Sequence, residues 1–210
     1  MSLEQQLHFD ISRCSYCPLG ANQIFCTPTI NQGVEFFLVL DSPNLNAAEE
    51  NNGWRHPGAN FLTKAISFAS GQSLSMFHLT FLMKCHCQIL GTTPSLKDKK
   101  AWGRTCASHY LEWEFKGLKP RKVLFFGEVA TSVCFPDNSG PWTNMIGQSL
   151  TLNPYGIEAH VFESPSSISN KGGIESDEGI DYIKRLHSVL GGKLTLPDIK
   201  EESSLFDFFN

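Results

Sequence analysis

Three short apolar runs constrain this chain more than any other feature. They are residues 35–40 (EFFLVL), 77–83 (FHLTFLM) and 122–126 (KVLFF). Each is nearly unbroken rather than alternating, too short for a typical helix, and rich in aromatic and branched side chains. Such runs form strands buried on both faces, as in a parallel sheet covered by helices. Residues 160–163 give a fourth, shorter strand candidate. Between the runs the apolar spacing turns helical at 61–68, within 95–115, at 128–133 after Gly127, and at 178–190 before Gly191 and Gly192. Strands alternating with helices predict an α/β three-layer sandwich, with a mostly parallel four-stranded sheet and helices on both faces.

With 210 residues the chain suits one domain with a substantial core. No apolar run approaches the ~18–20 residues of a membrane span, and residues 1–10 (MSLEQQLHFD) lack the basic and apolar segments of a signal peptide. The expectation is a cytoplasmic monomer without membrane association. The net charge of −4 argues against a protein held on nucleic acid by bulk charge. Two local basic clusters stand out, Lys97, Lys99, Lys100 and Arg104, then Lys116, Lys119, Arg121 and Lys122.

Seven cysteines need another explanation than a disulfide framework in a reducing compartment. Cys14 and Cys17 form a C-x-x-C, Cys85 and Cys87 follow the second strand, Cys106 lies in the next helical stretch, and Cys26 and Cys134 stand apart. Four thiolates hold an iron–sulfur cluster or a zinc ion, and spacing alone does not separate the two. A thioredoxin-like redox pair fits less well, because that motif follows a strand and this one precedes every strand.

From about residue 13 to residue 190 the sequence resembles the family 4 uracil-DNA glycosylases, which carry a 4Fe–4S cluster. The resemblance rests on CSYCPL at 14–19, the stretch Leu40-Asp41-Ser42-Pro43-Asn44 after the first strand, and the glycine-containing loop at 49–62. It continues with Lys84-Cys85, Cys106, the run Phe126-Gly127-Glu128-Val129-Ala130, and Ser164-Pro165-Ser166 where the family has His-Pro-Ser. It implies the uracil-DNA glycosylase fold, with Cys14, Cys17, Cys85 and Cys106 as cluster ligands and Cys87 as the alternative to Cys85.

The departures from the family pattern fall on its chemistry. Counting back from Cys85, the position of the family's base-reading Asn is Phe81, which offers no hydrogen bond to a pyrimidine edge. The family histidine becomes Ser164, a weaker donor; a slip of one residue would instead place Glu163 there. Asp41 stands where the family has a water-orienting Glu, and the base-stacking aromatic falls near Trp54 or His56. The implied function is a catalytically degenerate, DNA-binding protein whose base pocket includes Trp54, His56, Phe81, Ser164, Pro165 and Ser166. The alternatives are an active glycosylase of altered base specificity that uses Asp41, and a protein-interaction module built on the old DNA groove.

The composition changes after Leu194, so residues 1–194 read as the glycosylase-like domain and 195–210 as a flexible tail. Its end, SSLFDFFN, is similar to sliding-clamp-binding peptides, those of T-even-type phage polymerases above all. Leu205, Phe206, Phe208 and Phe209 would fill the clamp's apolar pocket, and Glu202 replaces the Gln of the general motif. A clamp tether raises local concentration on DNA without strong intrinsic affinity. It places the protein in replication, repair or replication-coupled transcription, in a bacterial or phage-infected cell.

Overall fold

The computed structural model describes residues 2–22, 24–28, 30, 33–87 and 92–197. Five strands are found among them: β1 (Phe36–Leu40), β2 (Phe77–Phe81), β3 (Lys122–Phe126), β4 (Ser149–Leu152) and β5 (Ile157–Phe162). They form one sheet in the order β2-β1-β3-β5-β4. The pairs β1–β2, β1–β3 and β3–β5 are parallel, with Leu38 level with Leu79 and Leu124. The sheet has one strand more than the sequence predicts. The additional strand, β4, runs antiparallel along the outer edge of β5. Its four residues (SLTL) bury only Leu152 and leave Ser149 and Thr151 exposed, so it lacks the continuous apolar signature of the central strands. The strand expected at 160–163 begins earlier, at Ile157, and ends at Phe162.

The helices are α1 (Leu3–Ser12), α2 (Leu45–Glu49), α3 (Pro57–Ser70), α4 (Leu96–Cys106), α5 (Glu112–Leu118), α6 (Glu128–Cys134), α7 (Pro165–Asn170) and α8 (Asp177–Leu190). A π-turn over Ala107–Leu111 joins α4 to α5. Helix α1 escapes a reading based on apolar periodicity because it buries only Leu7 and Ile11. Its start is nonetheless written in the sequence as a reciprocal cap: Ser2 Oγ accepts from the Gln5 N–H, and Gln5 Oε1 from the Ser2 N–H.

Alternation along the strands builds two cores. Phe36, Leu38, Leu40, Phe77, Leu79 and Phe81 face α3 and α8, meeting Leu62, Ile66, Ile183 and Leu186. Phe37, Val39, Val123, Phe125 and Val161 face the other way, onto Leu111, Phe115, Val129 and Val133. A sheet covered on both faces explains why its central strands carry no polar stripe. Each buried Phe or Leu contributes about 1.5–3 kcal/mol. At the far end Lys193 and Thr195 donate backbone hydrogen bonds to the Ser70 and Phe68 carbonyls, tying the chain after α8 onto the end of α3. No helix among the described residues is long and apolar enough to cross a membrane. Leu205, Phe206, Phe208 and Phe209 lie outside the described residues.

Candidate cysteine centre and sheet-edge crevice

Cys14 leaves the end of α1, its N–H donating to the Ile11 carbonyl at 3.1 Å. The loop then closes through a 3.1 Å hydrogen bond from the Gly20 N–H to the Cys17 carbonyl. A Cβ on Gly20 would lie 2.4 Å from the Cys14 carbonyl oxygen, so this closure admits only glycine. The loop continues to Phe25, which bridges antiparallel to Cys85, and the Cys26 N–H donates to the Lys84 carbonyl at 2.8 Å. Cys106 ends α4 where the helix widens into the π-turn, a distortion frequent at functional sites.

These pieces bring Cys14, Cys17, Cys85 and Cys106 to one cavity, walled by Leu19, Met83 and Trp102 and bounded by the stacked rings of Tyr16 and His109. Cys87 does not line it. Its thiol donates to Met83 Sδ at 3.7 Å and is also hydrogen-bonded to Ser42. The free space between the side chains is about 10 Å³, roughly that of one water. Among the described residues no three His, Cys, Asp or Glu side chains are gathered tightly enough to hold a single metal ion.

Burial pushes the Cys106 thiol up to about 12, against the opposing pull of Lys84 and its backbone N–H. Burial also raises Cys85, and the neighbouring Cys106, Cys17 and Cys14 add to it. Both are therefore protonated near neutral pH, and a metal group that binds them must displace protons. As a donor set, four thiols with one N–H···S hydrogen bond match the ligation of an iron–sulfur cluster.

Beside the cavity lies a network absent from the sequence reading. Lys84, Glu114 and His78 are all completely buried. The Lys84 ammonium contacts Glu114 Oε1 and donates to Thr80 Oγ1 at 2.6 Å and the Phe81 carbonyl at 2.7 Å. His78 Nε2 meets Glu114 Oε2 at 2.9 Å. Burial raises the Glu114 carboxyl, but Lys84 and then His78 outweigh it and hold the group below its ordinary value. The available sequence signal is a lysine in an otherwise apolar strand exit and a histidine inside a strand.

The second place of interest follows from topology. The chain runs from β1 outward to β2, then returns across β1 to β3, so the switch point lies between β1 and β3. Ligands of open α/β sheets bind outside the carboxyl ends of strands at such a point. Asp41 follows β1 there and Gly127 follows β3. Asp41 Oδ1 accepts the Ala130 N–H at 2.7 Å, so the carboxylate caps the start of α6. Gly127 has φ +102°, and a Cβ on it would lie 2.9 Å from Asp41 Oδ2. Burial raises Asp41 to about 6 despite the opposing N–H groups of Ala130 and Val129.

The remaining residues of the expected pocket gather next to this crevice, at the carboxyl end of β2. Phe81, only 1% exposed, pairs with Leu40 across the strands and belongs to the core under α3. The His56 ring lies 5.9 Å from the Phe81 ring, and Trp54 packs against the same core. Burial lowers His56 to about 4, so its ring is neutral, with Nδ1 accepting from the Gly58 N–H at 3.1 Å. Ser164 and Pro165 open α7, and Gly58 sits so close to Ser166 that a Cβ would be 2.9 Å from its N and Oγ. Glu163, the alternative residue at the family histidine's position, accepts from both terminal guanidinium nitrogens of Arg185 at 2.9 and 3.2 Å.

The two basic clusters differ. Lys116, Arg121 and Lys122 pair with Glu112, Glu35 and Glu158. Lys97, Lys100 and Arg104 stand on one face of α4 at helical spacing, and among the described residues only Lys100 has an ion-pair partner, Glu128 at 3.0 Å. Lys100 and Arg104 line a cleft of about 410 Å³ with Trp142.

Fold and geometry together define an α/β protein with four cysteines on one cavity beside a mostly parallel sheet, and with Asp41 at the carboxyl edge of that sheet between β1 and β3. Neither a scan of family models nor a search of curated proteins returns a match to this chain.

Proposed function

We propose that this is a uracil-DNA-glycosylase-like iron–sulfur protein that has lost base excision and serves as a clamp-tethered, DNA-binding accessory factor. It would act in DNA replication, repair or replication-coupled transcription. The observation that carries the reading is the convergence of Cys14, Cys17, Cys85 and Cys106, from three separate stretches of chain, on one cavity. These four residues would hold a 4Fe–4S cluster, which supplies a structural staple between the N-terminal loop, the exit of β2 and the end of α4. Zinc, held by the same four thiolates, is the alternative occupant.

Loss of excision is supported at the carboxyl edge. Phe81 fills the base-reading position with a buried ring. Ser164 replaces the family histidine, and the Asp41 carboxylate is engaged as a helix cap. DNA would lie along the edge containing Trp54, His56 and Ser164-Pro165-Ser166, with the α4 cations on its phosphates. The tail residues Leu205, Phe206, Phe208 and Phe209 would engage the sliding clamp, so a monomer of modest intrinsic affinity is held at the replication fork in the cytoplasm of a bacterial or phage-infected cell.

The test is an excision assay of cluster-loaded protein on uracil and a panel of modified bases, with and without the clamp. No abasic product is expected while an active family 4 enzyme cleaves in parallel; product on any base would make the protein an enzyme. Deleting residues 203–210 should abolish clamp binding without changing the fold, and retained binding would refute the tether.

A further inference from the structure

Lys84, Glu114 and His78 are ionisable, wholly buried and unused by the function proposed above. A buried ion pair is costly to desolvate, and apolar side chains of similar volume often serve stability as well or better. Here the Lys84 ammonium is ion-paired with Glu114 and donates hydrogen bonds to Thr80 Oγ1 and the Phe81 carbonyl.

Its location ties it to the cysteine centre. Lys84 lines the cavity with the four cysteines, and its backbone N–H donates to Cys106 Sγ at 3.3 Å. Its carbonyl accepts the Cys26 N–H of the N-terminal loop, and the next residue is Cys85. One residue thus joins all three segments that supply the thiols, and Glu114 and His78 of α5 and β2 fix its side chain.

We infer that Lys84, anchored by Glu114 and through it by His78, is a positioning residue of the cysteine centre: its backbone N–H orients Cys106, and its ion pair with Glu114, whose positive partner is the one on the cavity's side, raises the reduction potential of the group bound there. The inference rests on the cluster reading above. Net charge and hydrogen bonds to sulfur are the levers that set such potentials.

The test uses full-length, cluster-loaded protein. Lys84→Met with Glu114→Gln removes both charges and leaves His78 an acceptor; Thr80→Val removes one Lys84 contact and nearly preserves shape. Fold is checked by circular dichroism, the midpoint potential by voltammetry at an electrode, and iron release by transfer to a chelator. The paired variant should show a more negative potential and iron release faster by roughly 10-fold, the scale of other outer-shell losses. Thr80→Val should move both in the same direction by less, and carries the test if the paired variant does not fold. Loaded wild type with Thr80→Val and any folded paired variant unmoved in both readouts would overturn this inference alone. Wild type that binds no iron would overturn the cluster reading and this inference with it.

Discussion

Replacing Asp41 by Asn sets two physical effects against each other. A carboxylate at a helix start is ordinarily stabilising, through the N–H groups it accepts and the helix dipole. Here burial wins, raising the group from 3.8 to about 6. At about 1.4 kcal/mol per pH unit, that rise corresponds to roughly 3 kcal/mol between the protonated and ionised forms. The sign follows from proton linkage. The folded state holds this proton more tightly than the unfolded chain, so the contribution is fully present below pH 3.8 and is lost as pH rises through about 6. Asparagine keeps an oxygen for the Ala130 N–H and carries no charge at any pH. Wild type and Asp41→Asn should therefore be nearly equal in stability at about pH 3.5, with the variant ahead by up to roughly 3 kcal/mol at about pH 7.5. Urea unfolding of the two proteins, prepared identically across this range, measures the difference. The carboxyl carbon resonance of Asp41, assigned by its loss in the variant, reports the titration directly. A difference independent of pH, or a variant weaker at neutral pH, would show that the helix cap outweighs burial.

Two further predictions concern the same structure. Gly127→Ala should destabilise the fold by roughly 1–3 kcal/mol, because alanine is strained at φ +102° and its Cβ meets Asp41 Oδ2; urea unfolding at unchanged stability would refute that close approach. Cys85→Ser should lose most bound iron and Cys87→Ser should keep it, measured as iron per folded chain; the reverse order would move the ligand assignment to Cys87.

The central sheet was legible because its strands are short apolar runs covered on both faces, a pattern with little ambiguity. Strand β4 was not, since an edge strand with two exposed polar residues resembles a loop. Helix α1 was hidden by its narrow buried stripe and marked only by Ser2 and Gln5. At the site, the family resemblance named Cys14, Cys17, Cys85 and Cys106, with Cys87 as the alternative to Cys85, and the first four line one cavity; Phe81 was legible as a side chain without hydrogen-bonding groups. The roles of Lys84 and Glu114 were not, because a lysine and a glutamate 30 positions apart look like ordinary surface charges until β2 and α5 bring them together. Asp41 illustrates the same limit: its type suggests chemistry, while its cap on Ala130 appears only once β1 and α6 are adjacent.

The decisive measurement is metal and acid-labile sulfide analysis of the full-length protein, purified without air. About four iron and four sulfide per chain are expected, lost together when Cys14, Cys17, Cys85 or Cys106 is replaced by serine. Zinc without sulfide, or iron that survives each of these substitutions, would contradict the cluster reading.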